Sequence, residues 1–260
     1  MRHLSALILT LFFSGVSHAY VLGGTIPGKW GDPSIGTGAA VTWSLTGTGV
    51  SCGQEYIGCT ATALADFMPP GFEAELARAF DAWSAVADLT FTQVTDGGEP
   101  FNFPVDNSGD IRVSGHLITG ASGITEPDMH GHPVLDGASG VLAHGFFPPQ
   151  NGETAAGDIH FDTEDSWGIG FGAPGVDIFQ VFVHELGHAL GLGHTAVANS
   201  LMNPIYSEAF SGPQADDIAG MQFLYGPAAV NSVPAPQVWL LLIVGLMGFS
   251  LANTKRQFQV

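Results

Sequence analysis

Residues 184–194 read HELGHALGLGH and place three of the chain's 10 histidines at offsets 0, 4 and 10. On a helix each residue advances the face by about 100°, so His184 and His188 point the same way and can clasp one metal ion. Glu185 points about 100° aside, within reach of a water at that ion without being a ligand. If the helix ran on, His194 would sit roughly 80° off the pair and some 15 Å along the axis. Gly191 resolves this, because glycine takes the left-handed conformation that ends a helix and turns the chain back. Three imidazoles with a fourth position open suit a catalytic zinc, whereas structural zinc sites are closed. An acid beside them suits proton transfer to and from a water. Five such residues coincide by chance at about one start position in three million, so coincidence is a poor rival.

The elements that must carry this group read as α+β, a mostly single sheet packed against helices. AVTWSLTG (40–47) and LTFTQV (89–94) alternate apolar and polar residues as strands do. DIRVSG (110–115), GVLAHGFF (140–147) and GDIHFD (157–162) read as further strands. FEAELARAFDAWSAV (72–86) puts Leu76, Ala79, Phe80 and Trp83 at helical spacing, with acids in its first turn. Asp177 caps a helix running to Leu190, and Pro213 to Tyr225 forms the last helical stretch. Residues 50–70 hold both cysteines, end in Pro-Pro and read mostly as loop.

The 260 residues carry 6 Lys plus Arg against 24 Asp plus Glu, a formal charge of -18. Three of those bases, Arg2, Lys255 and Arg256, lie at the extreme ends. So acidic a surface repels nucleic acid and anionic lipid. It also leaves carboxylates for hard cations such as calcium. Residues 1–19 read as a signal peptide: a polar start, an apolar run from Leu4 to Phe13, and small residues before a cut after Ala19. Export favours a disulfide between Cys52 and Cys59, and no CxxC spacing supports a zinc or catalytic thiol role. The domain is then 20–229, followed by a tail at 230–260. VNSVPAPQ (230–237), an apolar run from Val238 to Ala252 and Lys255-Arg256 resemble a PEP-CTERM sorting signal, with Ala235 in place of the usual Glu. That resemblance implies an exosortase-like processing enzyme in a Gram-negative envelope and a transient membrane association. A simple C-terminal membrane anchor is the alternative.

HExxHxxGxxH is the motif of the metzincin metallopeptidases. Ser200-Leu201-Met202-Asn203-Pro204 resembles their Met-turn, with Met202 beneath the zinc ligands, and Pro204 and Tyr206 resemble a wall of the substrate side-chain pocket. FEAELARAFDAWSAVADLTFTQV, HGHPVLDGASGVLAHGFFPP, GDIHFDTEDSW and SGPQADDIAGMQFLYG together resemble the matrixin (matrix metalloproteinase-like) catalytic domain over residues 28–226. The resemblance implies a zincin-like fold, a twisted, mostly parallel sheet on helices with HExxH on the active-site helix. It also implies a structural zinc on His130, His144 and His160, with His132 where the family has Asp. Calcium ligands are implied at Asp136, Gly137, Ser139, Val141, Asp162 and Asp165, and a second calcium at Asp158. Seven of the eight histidines after the signal segment thus fall on zinc positions, and His116 is left as a solvated or hydrogen-bonded residue.

Two features of the family are not found: a cysteine-switch prodomain and a downstream propeller. The implied activity is zinc endopeptidase action on a protein or peptide, with Glu185 as general base and an extended substrate paired to the strand around Gly140 to Phe146. A noncatalytic envelope or matrix protein that kept the fold, and a peptidase that processes only itself or a neighbour, are the rival readings. An intact Glu185 argues against the first of these.

Overall fold

A computed structural model describes residues 19–26, 28–53, 58–101, 108–118, 141–149 and 155–229. The signal segment up to residue 18, His130, His132, Asp136, Gly137, Ser139 and the tail from residue 230 lie outside the described residues. By backbone proximity residues 1–228 form one unit and 229–260 a second, and the architecture below is that of the first.

In chain order the elements are β1 (Val21–Leu22), β2 (Ala39–Leu45), a 3-10 turn (Leu64–Asp66), α1 (Phe72–Ser84), β3 (Leu89–Gln93), β4 (Ile111–His116) and β5 (Ala143–Gly145). Then follow β6 (Ile159–Asp162), β7 (Trp167–Gly168), β8 (Val176–Asp177), α2 (Ile178–Ala189), β9 (Leu192–Gly193) and α3 (Ala215–Tyr225). The main sheet has five strands in the order β3-β2-β4-β6-β5. The first four pair in parallel and β5 closes the edge antiparallel to β6. The α+β architecture with a mostly parallel sheet is thus observed. The strand expected over 140–147 keeps only its centre as β5. Its ladder reaches one residue further at each end, through Asp162 N to Leu142 O and Phe146 N to Asp158 O. Pro148-Pro149 then stops it, since proline has no N–H to donate.

Helix α1 follows Pro69-Pro70 and starts from Gly71 at φ +98°, with Glu73 and Glu75 in the first turn where the helix dipole favours acids. Phe72, Leu76, Ala79, Phe80 and Trp83 are all buried, the face its spacing predicts. Each large apolar side chain so buried contributes about 1.5–3 kcal/mol. Phe80 stacks on Trp43 of β2 and meets Phe182 of α2 edge-on. The Trp83 indole donates to Val183 O at 3.0 Å. One core therefore joins both helices to one face of the sheet through Val41, Val113, Ile159 and Phe161.

The opposite face of β4 and β6 is buried too, but polar. Arg112 is 1% exposed and holds Asp96 in a two-pronged ion pair, with Nε to Oδ2 2.9 Å and a terminal nitrogen to Oδ1 2.8 Å. Burial pushes the Asp96 carboxyl up. Hydrogen bonds from Arg112, Gly98 and Ser44 outweigh it and hold the group below its usual range. On this side Phe101 lies against Arg112, Cys52 and Ala61 pack on Phe101, and Thr62 bridges to Gly115 of β4.

Removing one partner of a buried pair leaves the other charge uncompensated, so Asp96→Ala should cost about 3–5 kcal/mol in urea unfolding. The contribution is present above the ordinary Asp pKa of about 4 and is lost as pH falls through the lower folded value. An unchanged midpoint at pH 7 would show that the clip is not stabilising.

Candidate metal centre and active site

Asp177 starts α2 as expected: its Oδ1 accepts from Gln180 N at 2.8 Å. The helix carries His184, Glu185 and His188, and ends at Ala189 with Leu190 as its C-cap. Gly191 follows at φ +107°. The carbonyls orphaned at this helix end find donors elsewhere. Trp30 Nε1 reaches Ala189 O at 2.7 Å, Tyr225 Oη reaches Leu190 O at 2.9 Å, and Gly23 N reaches Gly191 O at 2.8 Å. The reversed chain pairs as β9 with the N-terminal strand β1. His194 follows β9 directly.

This turn brings the third imidazole home. His194 Nε2 lies 3.2 Å from His184 Nε2 and 3.0 Å from His188 Nε2. Tetrahedral zinc with bonds of about 2.0–2.1 Å needs nitrogens about 3.3 Å apart, so the spacing fits that ion. The other ring nitrogens fit as well. His184 Nδ1 faces Leu201 O at 2.6 Å and His188 Nδ1 faces Leu192 O at 2.7 Å. A carbonyl only accepts, so each Nδ1 carries the proton and each Nε2 presents a lone pair to the centre. Burial, then His194, pushes the His184 pKa down to about 4, keeping the ring neutral as a ligand requires.

Glu185 is 7% exposed. Burial raises its pKa to about 8, offset in part by the backbone N–H of Gly145 on edge strand β5. A carboxyl poised there can both take and return a proton near neutral pH. Phe147, just past β5, meets the His188 ring edge-on.

Met202 lies buried beneath the helix. A Cβ added at Gly187, between the two helical histidines, would fall 2.4 Å from the Met202 sulfur. The turn holding Met202 is pinned by a residue the sequence reading missed. Asp217 of α3, 1% exposed, accepts from Leu201 N at 2.7 Å, Met202 N at 3.0 Å, Gln214 N at 2.8 Å and the Ser200 hydroxyl. It thereby sets the Leu201 carbonyl that orients His184. Its only sequence signal was an acid in the first turn of a helix. Pro204 is exposed. The Tyr206 hydroxyl accepts from Asp177 N at 3.1 Å and donates to Glu208 at 2.9 Å, tying the segment after the turn to the start of α2.

Of the expected structural-zinc set, His144 on β5 and His160 on β6 are brought side by side, as register partners. His116 of β4, left without a role by sequence, joins them. Among the expected calcium residues, Asp162 and Asp165 crowd with Glu164. Burial, offset in part by the amides of Glu164 and Ile118, raises the Asp162 carboxyl, and burial followed by the charges of Asp162 and Glu164 pushes Asp165 up to about 6. A bound cation would relieve both effects. Asp162 Oδ1 also accepts from Glu164 N and Ile118 N, while Asp158 Oδ1 accepts from Arg112 N at 3.0 Å. Val141 is partly buried just before β5. Among the described residues only the two imidazole trios converge as metal groups. The Cys52–Cys59 disulfide is formed as expected.

Comparison with known proteins finds relatives over more than half of the chain. The sequence profile of the family described as Matrixin matches residues 62–226. Stromelysin-3 of Xenopus laevis is 38% identical over 166 residues, 63% of this chain and 30% of that protein. Matrix metalloproteinase-16 of Homo sapiens is 37% identical over 164 residues, 61% of this chain and 24% of that protein. Matrix metalloproteinase-25 of Mus musculus reaches 44% over 108 residues, 39% of this chain and 17% of that protein. The chain thus spans less than a third of the length of these relatives.

Two substitutions test the site's support. Gly191→Ala would force a side chain into a left-handed backbone, with its Cβ 2.1 Å from Gly28 O. We expect a loss of about 2–3 kcal/mol in chemical unfolding and weaker zinc retention. Asp217→Asn should lower zinc affinity about tenfold in chelator competition, the scale of outer-shell effects. Unchanged affinity would show the turn is held without that carboxylate.

Proposed function

The chain belongs to the matrixin family, and from that membership we propose that it is a zinc endopeptidase acting on proteins or peptides outside the cytoplasm. The observation that carries the reading is the convergence of His184, His188 and His194 with the buried carboxyl of Glu185 beside them. Zinc in that trio would lower the pKa of a water and polarise the scissile carbonyl. Glu185 takes the proton of the attacking water and passes it to the departing amine. Its burial keeps proton affinity high, and a zinc ion held by the trio would draw it down again. The Nδ1 bonds to Leu201 and Leu192 fix the rings before substrate arrives.

An extended substrate adds to the sheet at β5, whose outer edge has no strand beyond it among the described residues. The segment Pro204 to Tyr206, tied to the head of α2, forms one wall of the side-chain pocket. Asp136, Asp162, Asp165 and the carbonyls of Gly137, Ser139 and Val141 would hold a calcium ion, and Asp158 would serve a second.

The rest of the reading concerns delivery. Residues 1–19 direct export, residues 20–229 form the peptidase domain, and residues 230–260 form a PEP-CTERM-like tail. An exosortase-like enzyme of a Gram-negative envelope processes that tail after a transient membrane association. No helix among the described residues is long and apolar enough to cross a membrane.

Glu185→Gln should lower cleavage of casein or gelatin by about 10²–10⁴-fold with the zinc content unchanged. A zinc chelator should abolish cleavage by the native protein. Turnover retained by the Glu185 variant would remove the proposed base, and turnover retained under chelation would remove the metal.

A further inference from the structure

The two cysteines join segments that run antiparallel. Ser51 bridges Thr60, Cys52 N donates to Cys59 O at 3.1 Å, Ala61 N to Val50 O at 2.7 Å and Gly49 N to Ala61 O at 2.9 Å. The Cys52–Cys59 disulfide crosses this ladder. A two-stranded ribbon is marginally stable by itself in water. This one carries Gly49 at φ +91° and Gly58 at φ +83°, and glycine loses more freedom on folding than any other residue. Its apolar support is small. Cys52, Ala61 and Phe101 form a buried cluster apart from the main core, with Val50 and Cys59 packed against it. Both half-cystines belong to that cluster, so the bond is its crosslink and part of its filling.

The ribbon in turn holds a piece of the sheet. Phe101 N donates to Ser51 O at 2.9 Å. The Phe101 ring lies 4.5 Å from the Arg112 guanidinium and meets the His160 ring edge-on at 4.7 Å. Thr62 and Gly115 exchange both backbone bonds, at 2.6 Å and 2.8 Å. Strand β4 pairs with β2 as far as Val113. Backbone groups two residues apart on a strand point the same way, so at Gly115 Thr62 takes up the edge that β2 has left.

Reduction has one entry. Cys52 is 0% exposed, whereas Cys59 is partly exposed. A thiolate of a dithiol reagent attacks the Cys59 sulfur, the S–S bond breaks, and Cys52 leaves as a thiolate that takes up a proton. The second thiol of the reagent then attacks the reagent's own sulfur in the mixed disulfide. Cys59 is released as a thiol and the reagent ends as a disulfide, so two electrons and two protons pass to the protein.

We propose that Cys52–Cys59 is a redox latch on the polar face of the sheet. Closed, it holds the ribbon, Phe101 and the far end of β4 as one piece. Open, the ribbon frays, Phe101 leaves Arg112, and water reaches the Arg112–Asp96 pair. That face is complete only in a compartment that keeps disulfides closed. The proposal stands apart from the hydrolytic reading, since the latch contains neither Glu185 nor any member of the His184 trio.

A disulfide that only restricts the unfolded chain leaves exchange from the folded state unaltered, so native-state hydrogen exchange separates that role from a latch. The full chain is measured oxidised, reduced with dithiothreitol, and as the double variant Cys52→Ser/Cys59→Ser. Reduction should speed exchange at the amides of Ala61, Thr62, Phe101 and Gly115 at least about tenfold, with Leu186 of α2 unchanged. Reoxidation by glutathione disulfide should restore the slow rates, and the double variant should exchange fast with or without the dithiol. Unchanged rates at those four amides, with two free thiols titrated, overturn the latch. So do an equal acceleration at Leu186, which marks global unfolding, and a bond that stays closed in excess dithiol. None of these results bears on Glu185, so the two readings fall separately.

Discussion

A neutral imidazole presents one lone pair, and everything at this site turns on where that lone pair points. The carbonyls of Leu201 and Leu192 settle it by accepting hydrogen bonds from Nδ1–H of His184 and His188. Each carbonyl belongs to backbone that is itself tied down. Leu192 sits in the short pairing of β9 with β1. Leu201 sits in a turn whose amides are gathered by Asp217. Without these acceptors the rings would be free to choose the other tautomer or to rotate, and the centre would lose its lone pairs.

The hydrophobic core serves this arrangement at one remove. Trp83, Phe80 and Phe182 fix α2 on the sheet, so the helix presents His184 and His188 at a set height. Gly187 is as small as it is because the Met202 sulfur occupies the space a side chain would need. Gly191 answers the two demands of a left-handed turn and a close pass by Gly28. Apolar packing sets position, glycine permits approach, and hydrogen bonds set orientation.

Much of this was legible in the chain. The spacing of residues 184–194 predicted the helix, its stop and the return of His194, because those follow from helical geometry alone. The apolar stripe of α1 and the cap at Asp177 were legible for the same reason: both are local. What escaped were relations that need two distant segments in register. His116 gains its neighbours only when β4, β6 and β5 line up, and no local pattern announces that. Asp217 acts through backbone amides, which leave no mark in a sequence. The stretch 50–70 read as loop because its pairing with Gly115 is a single bridge rather than a strand.

Strand β5 is three residues long, yet it faces both groups of histidines. His144 projects from it into one, the amide of Gly145 meets Glu185, and Phe147 just beyond lies on His188 of the other. A displacement of this short crossbar would therefore reach both groups of rings and the Glu185 carboxyl together.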